Sequence, residues 1–198
     1  MNDKDKQPTS GFVSDIGDES DFNSTRHNGG FTNISEAYVS KSGFTRMFSA
    51  VRYGKRYMLK CLKPDFAYTP IYRQALMKEF EIGLQLDHPN ICRTISMEPV
   101  GELGDCIVME YVDGETLEAA VKGGNMTEDK VRKIASQLLD AMEYMHAKQT
   151  VHRDIKPSNI MLTHRGGDVK LIDFGLSDSE TFCVLKIPAG TIGYMAPE

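Results

Sequence analysis

Residues 160–172 read as a β-hairpin, and the residues at its two ends constrain the chain more than any other feature. Ile160–Thr163 and residues 169–172 are short apolar runs. His164-Arg165-Gly166-Gly167-Asp168 joins them with the chemistry of a turn. With the centre at Gly166-Gly167, antiparallel pairing brings Asn159 and Asp173 together at the open end. An amide oxygen and a carboxylate there suit a hard cation that keeps its remaining positions for phosphate and water. Taken alone, either residue is better read as an asparagine cap or a solvated aspartate at a strand end.

The loop before the hairpin reads His152-Arg153-Asp154-Ile155-Lys156-Pro157-Ser158-Asn159. It sets a base or orienting carboxylate, a phosphate cation and a metal-ligand amide close together. Asp173-Phe174-Gly175 follows, and then Gly190-Thr191-Ile192-Gly193-Tyr194-Met195-Ala196-Pro197-Glu198. These three blocks, in this order, resemble the protein kinase family. Lys156-Pro157 is similar to its serine/threonine branch. The resemblance covers about residues 31–198.

The resemblance implies an α+β, two-lobed protein-kinase-like fold, with a small antiparallel β lobe carrying one helix and an incomplete helical large lobe. The expected divisions are a polar tail at 1–30, a small lobe and hinge at 31–112, and a partial large lobe at 113–198. The implied cofactors are ATP and Mg²⁺, and the implied reaction moves the γ-phosphoryl group to a serine or threonine hydroxyl of a protein substrate. By the same resemblance, Asp154 accepts or orients the hydroxyl proton, Lys156 points at the transferred group, and Asn159 and Asp173 hold the metal. Arg153 pairs with a phosphate on the activation segment, and His152 braces the loop. Ser177, Ser179 and Thr181 are candidate phosphosites, served by an activating kinase or by self-phosphorylation. Thr191 is expected to brace Asp154 and Lys156.

Two further residues answer each other in the sequence itself. Lys60 ends Tyr57-Met58-Leu59-Lys60, whose apolar neighbours suggest a buried strand, where an unpaired ammonium is costly. Residues 71–86 read as a helix in which Ala75, Glu79, Ile82 and Leu86 share one stripe, so a carboxylate lies on an apolar face. The expected outcome is a Lys60–Glu79 ion pair, with Glu81 as the competing partner. In the family, Lys60 would also touch the α/β-phosphates.

Val108-Met109-Glu110-Tyr111-Val112 resembles the family's hinge. The Glu110 carbonyl and the Val112 backbone would then bond adenine, with Met109 behind it and Glu115 reaching the ribose. Met and Val on a strand also fit plain core. The phosphate-covering loop departs from the family pattern. Ser40, Ser42 and Thr45 stand where the three glycines belong, although Gly43 and Phe44 remain. Glycine lets backbone N–H groups approach phosphate, so weaker ATP affinity or a looser lid is expected. That loop also supports a second reading, a non-catalytic kinase-like nucleotide-binding or interaction module.

Elsewhere, strands are expected at 38–39, 47–51, 56–60, 91–97 and 106–111, with turns at Tyr53-Gly54-Lys55 and 101–105. After Asp113-Gly114 the pattern turns helical. Thr127 is the expected N-cap of a helix whose face carries Val131, Ile134, Ala135, Leu138, Leu139, Met142 and Met145. The family's later helices would pack there, so part of that face is expected to be exposed. Residues 1–30 carry three basic side chains (Lys4, Lys6, Arg26) against six acidic ones (Asp3, Asp5, Asp15, Asp18, Glu19, Asp21) and few large apolar residues. They read as a disordered tail that is also a candidate docking or regulatory peptide.

The chain has 198 residues and a net charge of −5, which gives no basic character suited to nucleic acid. No apolar run approaches a membrane span, and the N-terminus is too polar for a signal peptide. Cys61, Cys92, Cys106 and Cys183 lack metal spacing and read as reduced thiols, so a cytoplasmic location is expected.

Overall fold

A computed structural model of the chain describes residues 28–39, 43–124, 126–179 and 190–195. Ser40, Ser42, Thr181, Cys183 and the Ala196-Pro197-Glu198 end lie outside them, as do residues 1–27. Residues 28–30, counted in the tail from composition, form a turn into the first strand, where the Phe31 amide donates to the Asn28 carbonyl at 3.1 Å.

Five strands make one antiparallel sheet: β1 (Thr32–Val39), β2 (Thr45–Arg52), β3 (Lys55–Leu62), β4 (Thr94–Pro99) and β5 (Asp105–Glu110). Their order is β1-β2-β3-β5-β4. The β2–β3 hairpin follows from its turn. Tyr53 and Gly54 both take positive φ, at 52° and 75°, as a two-residue turn matched to strand twist requires. Arg52 then faces Lys55, and the register runs unbroken to Thr45 opposite Leu62.

Helix α1 (Pro70–Leu84) starts on a proline at its first position, where the missing N–H costs nothing. It buries Leu76, Glu79, Ile82 and Gly83 against the sheet, while Ala75 is only half-buried. Leu86 is buried just past the helix end, two residues beyond Leu84.

The expected strand at 91–97 begins later, at Thr94. The backbone of residues 90–92 bonds elsewhere: the Leu171 amide donates to the Asn90 carbonyl and the Cys92 amide to the Leu171 carbonyl, both at 2.8 Å. That exchange ties the upper sheet to the lower hairpin. The expected helix after Gly114 is preceded by a strand that the sequence did not suggest, β6 (Gly114–Thr116), which pairs with Leu162 and its neighbours. A Cβ on Gly114 would collide with the Leu162 carbonyl, so the glycine permits the close strand approach. Helix α2 (Leu117–Lys122) follows, capped by Thr116, whose hydroxyl accepts from the Ala119 amide at 3.2 Å.

Helix α3 (Glu128–Ala147) is capped by Thr127, as expected, with the Lys130 amide donating to its hydroxyl at 3.4 Å. It buries Ile134, Ala141 and Met145, and Leu138 packs partly against the same core. Val131 and Leu139 are 50% and 62% exposed, so the wide apolar face is only partly used. Strand β7 (Thr150–Val151) pairs with β10 (Asp178–Ser179), and β8 (Ile160–Thr163) forms the hairpin with β9 (Val169–Leu171). Ile82, Leu86, Ile91, Met145, Leu171 and Phe174 belong to one buried cluster that joins α1, α3 and the hairpin.

Candidate functional site

Strand β3 delivers Lys60 between Leu59 and Cys61, both at 0% exposure, and Lys60 itself is only 6% exposed. A buried ammonium requires partners. Helix α1 supplies one: Lys60 Nζ donates to Glu79 Oε1 at 2.6 Å. The segment after β9 supplies the other, with Lys60 Nζ donating to Asp173 Oδ1 at 2.7 Å. Glu81, the competing partner in sequence, is half-buried and makes no ion pair among the described residues.

The electrostatics follow from this geometry. Burial alone would lower the Lys60 pKa, but the carboxylates of Glu79 and Asp173 outweigh it and hold the ammonium protonated well above the ordinary lysine value. The Lys60 charge holds the Asp173 carboxyl, whose side chain is 46% exposed, below its usual range. Burial pushes Glu79 upward, and Lys60 opposes that push.

Asp173 takes φ 67°, a left-handed conformation uncommon outside glycine, and Arg153 takes the same value. Phe174 anchors the turn. It is buried in the lower core, and its ring centroid lies 5.4 Å from that of His152, edge to face. The Gly175 amide donates to Asp173 Oδ1 at 3.4 Å. No hydrogen bond reaches Asp173 Oδ2 among the described residues.

The loop from His152 to Asn159 is held from within. The Asp154 amide donates to His152 Nδ1 at 3.3 Å, and His152 Nε2 lies 3.2 Å from the Ile172 carbonyl. That pair of contacts fits the neutral ring with its proton on Nε2, and burial lowers the His152 pKa accordingly. Asp154 is 7% exposed. Its Oδ1 accepts from Thr191 Oγ1 at 2.7 Å, its Oδ2 accepts from Asn159 Nδ2 at 2.9 Å, and Lys156 Nζ lies 2.7 Å from Oδ2. Burial alone would raise the Asp154 pKa, but the hydrogen bonds from Lys156, Thr191 and Asn159 hold it below the ordinary carboxylate value. Lys156 Nζ also donates to Thr191 Oγ1 at 2.9 Å. Thr191 therefore joins Asp154 and Lys156, as the sequence suggests. Asn159 Nδ2 donates a second bond, to the Asp154 carbonyl at 2.9 Å. Its Oδ1 carries no hydrogen bond among the described residues.

Two groups thus assemble: Lys60, Glu79 and Asp173, and Asp154, Lys156, Asn159 and Thr191. The Ile172 amide, donating to the Asn159 carbonyl at 3.0 Å, places the two groups at the same end of the hairpin. Met109, Val112, Met58 and Ile172 pack in one apolar cluster. Glu110 does more than a hinge residue was expected to do. Its carboxylate accepts from the Arg93 amide at 2.9 Å and from Lys170 Nζ at 2.6 Å, which ties the end of β5 to β9. Glu115 is exposed in β6 opposite Leu162, and its side chain makes no hydrogen bond or ion pair among the described residues.

Three other features were not read from sequence. One is the direct Lys60–Asp173 bridge, although the sequence marks each residue separately. Another is the contact of Gly83 with Thr94, where an added Cβ would collide with Thr94 Oγ1 and lie 3.1 Å from Thr94 Cβ. The third is the state of Ser177, a candidate phosphosite. It is 1% exposed, and its hydroxyl donates to the His152 carbonyl at 3.3 Å, so it serves as a brace in this conformation.

A family model described as the protein kinase domain matches residues 41–198. The chain is 42% identical over 149 residues to mitogen-activated protein kinase kinase 9 of Arabidopsis thaliana, covering 72% of this chain and 45% of that protein. It is 38% identical over 152 residues to mitogen-activated protein kinase kinase 7 of the same plant, covering 73% of this chain and 47% of that protein. Serine/threonine-protein kinase 36 of Pongo abelii is 35% identical over 164 residues, covering 81% of this chain and 12% of that protein. The chain spans less than half the length of each of these relatives.

Proposed function

The chain belongs to the protein kinase family, of the serine/threonine type, and from that premise we propose that it transfers the γ-phosphoryl group of ATP to a serine or threonine hydroxyl of a protein substrate. The observation that carries this reading is the single Lys60 ammonium bridging Glu79 at 2.6 Å and Asp173 at 2.7 Å. Phosphoryl transfer needs positioning and charge neutralisation more than covalent chemistry, and both depend on that bridge being made.

In this reading Lys60 holds the α/β-phosphates. Asp154 accepts the proton of the attacking hydroxyl as its oxygen bonds the γ-phosphorus, and the bond to the bridging oxygen of ADP breaks. A depressed pKa keeps Asp154 ionised for that contact. Lys156, 2.7 Å from Asp154, lies beside the same carboxylate to offset charge on the transferred group. Asn159 and Asp173 each present one side-chain oxygen without a hydrogen bond among the described residues, and both are hard donors that fit Mg²⁺. Among the described residues no group of three or more His, Cys, Asp or Glu side chains is arranged for a metal. A cation held by so few protein ligands completes its shell with phosphate and water, as Mg²⁺ does. Bound there, it would neutralise phosphate charge.

The division at about 112 between a small lobe (31–112) and part of a large lobe (113–198) belongs to this proposal. So do adenine bonds to the Glu110 carbonyl and the Val112 backbone, ribose contact by Glu115, and phosphate contact by the 40–45 segment, including Ser40, Ser42, Gly43 and Thr45. An upstream kinase or self-phosphorylation would act on the activation segment. No helix among the described residues is long and apolar enough to cross a membrane, and action in the cytoplasm, without nucleic acid, completes the proposal. Chelating divalent cations should abolish transfer, Mg²⁺ should restore it, and Asn159→Ala should raise the Mg²⁺ requirement. Transfer that survives chelation would refute the reading. A second reading, nucleotide binding without transfer, draws on Ser40, Ser42 and Thr45 in place of glycines. It predicts ATP binding that Asp154→Asn leaves unchanged and no product in either protein.

A further inference from the structure

A groove of about 630 Å³ opens where the end of α1, the start of β4 and the end of β5 meet the start of β3. Its cations are Lys55, Arg56 and Arg93, all exposed and in no ion pair among the described residues. Arg56 lies over the Tyr111 ring at 5.4 Å. Of the two acidic residues in the lining, Glu110 is already neutralised by Lys170 at 2.6 Å, which leaves Asp87 as the counter-charge. Between the cations lie Leu84 and Ile95, 53% and 38% exposed. The groove is therefore basic and apolar together, and catalysis as argued above uses neither its cations nor its leucine and isoleucine.

Outside the described residues, the chain contains one stretch with the complementary composition. Residues 12–22 read Phe-Val-Ser-Asp-Ile-Gly-Asp-Glu-Ser-Asp-Phe, with four carboxylates (Asp15, Asp18, Glu19, Asp21) interleaved with Phe12, Val13, Ile16 and Phe22, and no cation. The Gly29 carbonyl accepts from Arg52 Nη1 at 3.4 Å, and the Arg52 guanidinium lies 5.6 Å from the ring of Tyr57, which lines the groove. The described chain therefore begins one side chain, that of Arg52, away from a residue that lines the groove. Five residues lie between Phe22 and Asn28, and the six steps that join them reach up to about 20 Å when extended.

We propose that residues 12–22 of this chain dock in cis in the groove between Arg93, Arg56 and Leu84, with carboxylates on the cations and Ile16 or a phenylalanine against Leu84 and Ile95. Tethering makes the encounter intramolecular, so modest complementarity suffices for occupancy. The docking contacts use no residue of the Lys60 or Asp154 groups.

The test is carbodiimide coupling, which joins an amine to a carboxylate only when they touch, applied to the full chain and read by mass spectrometry of its peptides. The expected product links Lys55 to Asp15, Asp18, Glu19 or Asp21 within one molecule. It should be lost in the Arg56→Glu/Arg93→Glu variant, and also at about 1 M salt, where charges are screened beyond about 3 Å. The salt arm needs no variant, so it remains decisive if the double variant fails to fold. Mixing isotope-labelled and unlabelled chains separates the possible occupants: a link only between differently labelled copies would assign the groove to a second molecule and overturn docking in cis. Absence of the link, or a link indifferent to both salt and charge reversal, would overturn it as well.

Discussion

Lys60 and Asp173 are 113 residues apart in the chain, and their side chains meet at 2.7 Å. The same ammonium meets Glu79 at 2.6 Å, so one cation joins β3, α1 and the segment after β9. Lys60 holds these elements in one arrangement because its burial makes any missing partner expensive.

Replacing Lys60 with Met keeps the length of the side chain and removes the charge. Glu79, 6% exposed, is then left without its cation. Breaking a buried pair on one side costs about 3–5 kcal/mol, so the urea midpoint of Lys60→Met should fall sharply. Lys60→Met/Glu79→Gln should recover part of the loss. A single variant as stable as the parent would show that the pair holds nothing together.

Thr191 touches both Asp154 and Lys156, at 2.7 and 2.9 Å, and acts through them. Thr191→Val should lower kcat with little change in KM for ATP, and Thr191→Ser should restore it. If Thr191→Ser is as impaired as Thr191→Val, the hydroxyl is not what matters.

Gly83 lies one turn beyond Glu79 on α1, with no room for a Cβ against Thr94. Gly83→Ala should push the helix from β4, at an overpacking cost of about 1–3 kcal/mol, and draw Glu79 away from Lys60. Thr94→Gly should relieve the collision, so Gly83→Ala/Thr94→Gly should be less impaired in turnover than Gly83→Ala alone. Additive losses in stability and turnover would contradict this geometry.

Stability should vary with pH in two windows. Burial sets the folded pKa of His152 below its ordinary 6.5. The unfolded chain therefore takes up this proton first as pH falls, so the contribution of the neutral ring is complete above about 6.5 and is lost on acidification below that value. Asp154 and Asp173 have depressed folded values. Their contribution is present above the unfolded value of about 3.9 and is lost as pH falls through the lower folded values. Urea midpoints across pH should show both losses, and His152→Gln should flatten the upper one alone. An upper window that survives His152→Gln would have another source.

Much of this arrangement was legible in the sequence because it lies in local signals. Tyr53-Gly54 announces the β2–β3 turn, Thr127 announces α3, and the spacing of Ala75, Glu79 and Ile82 puts a carboxylate on a buried face. Lys60 and Glu79 could be paired because each poses the same burial problem. The Lys60–Asp173 bridge could not be read that way, since nothing local to either residue encodes their separation in space. Strand β6 was missed because three residues carry no period, and its signal, a glycine under a neighbouring carbonyl, exists only once the strands are packed. Val131 and Leu139 share the apolar pattern of α3 but not its burial, since periodicity does not say which part of a wide face finds a partner.

Incubating the protein from its native source with γ-labelled ATP, Mg²⁺ and a protein acceptor, beside Asp154→Asn, reads phosphoryl transfer itself. Label should appear on acceptor serine or threonine, reduced by about 10²–10⁴-fold in the variant, with ATP binding retained in both. ATP bound by both proteins with no label transferred by either, or transfer unaltered in Asp154→Asn, would contradict phosphoryl transfer assisted by Asp154.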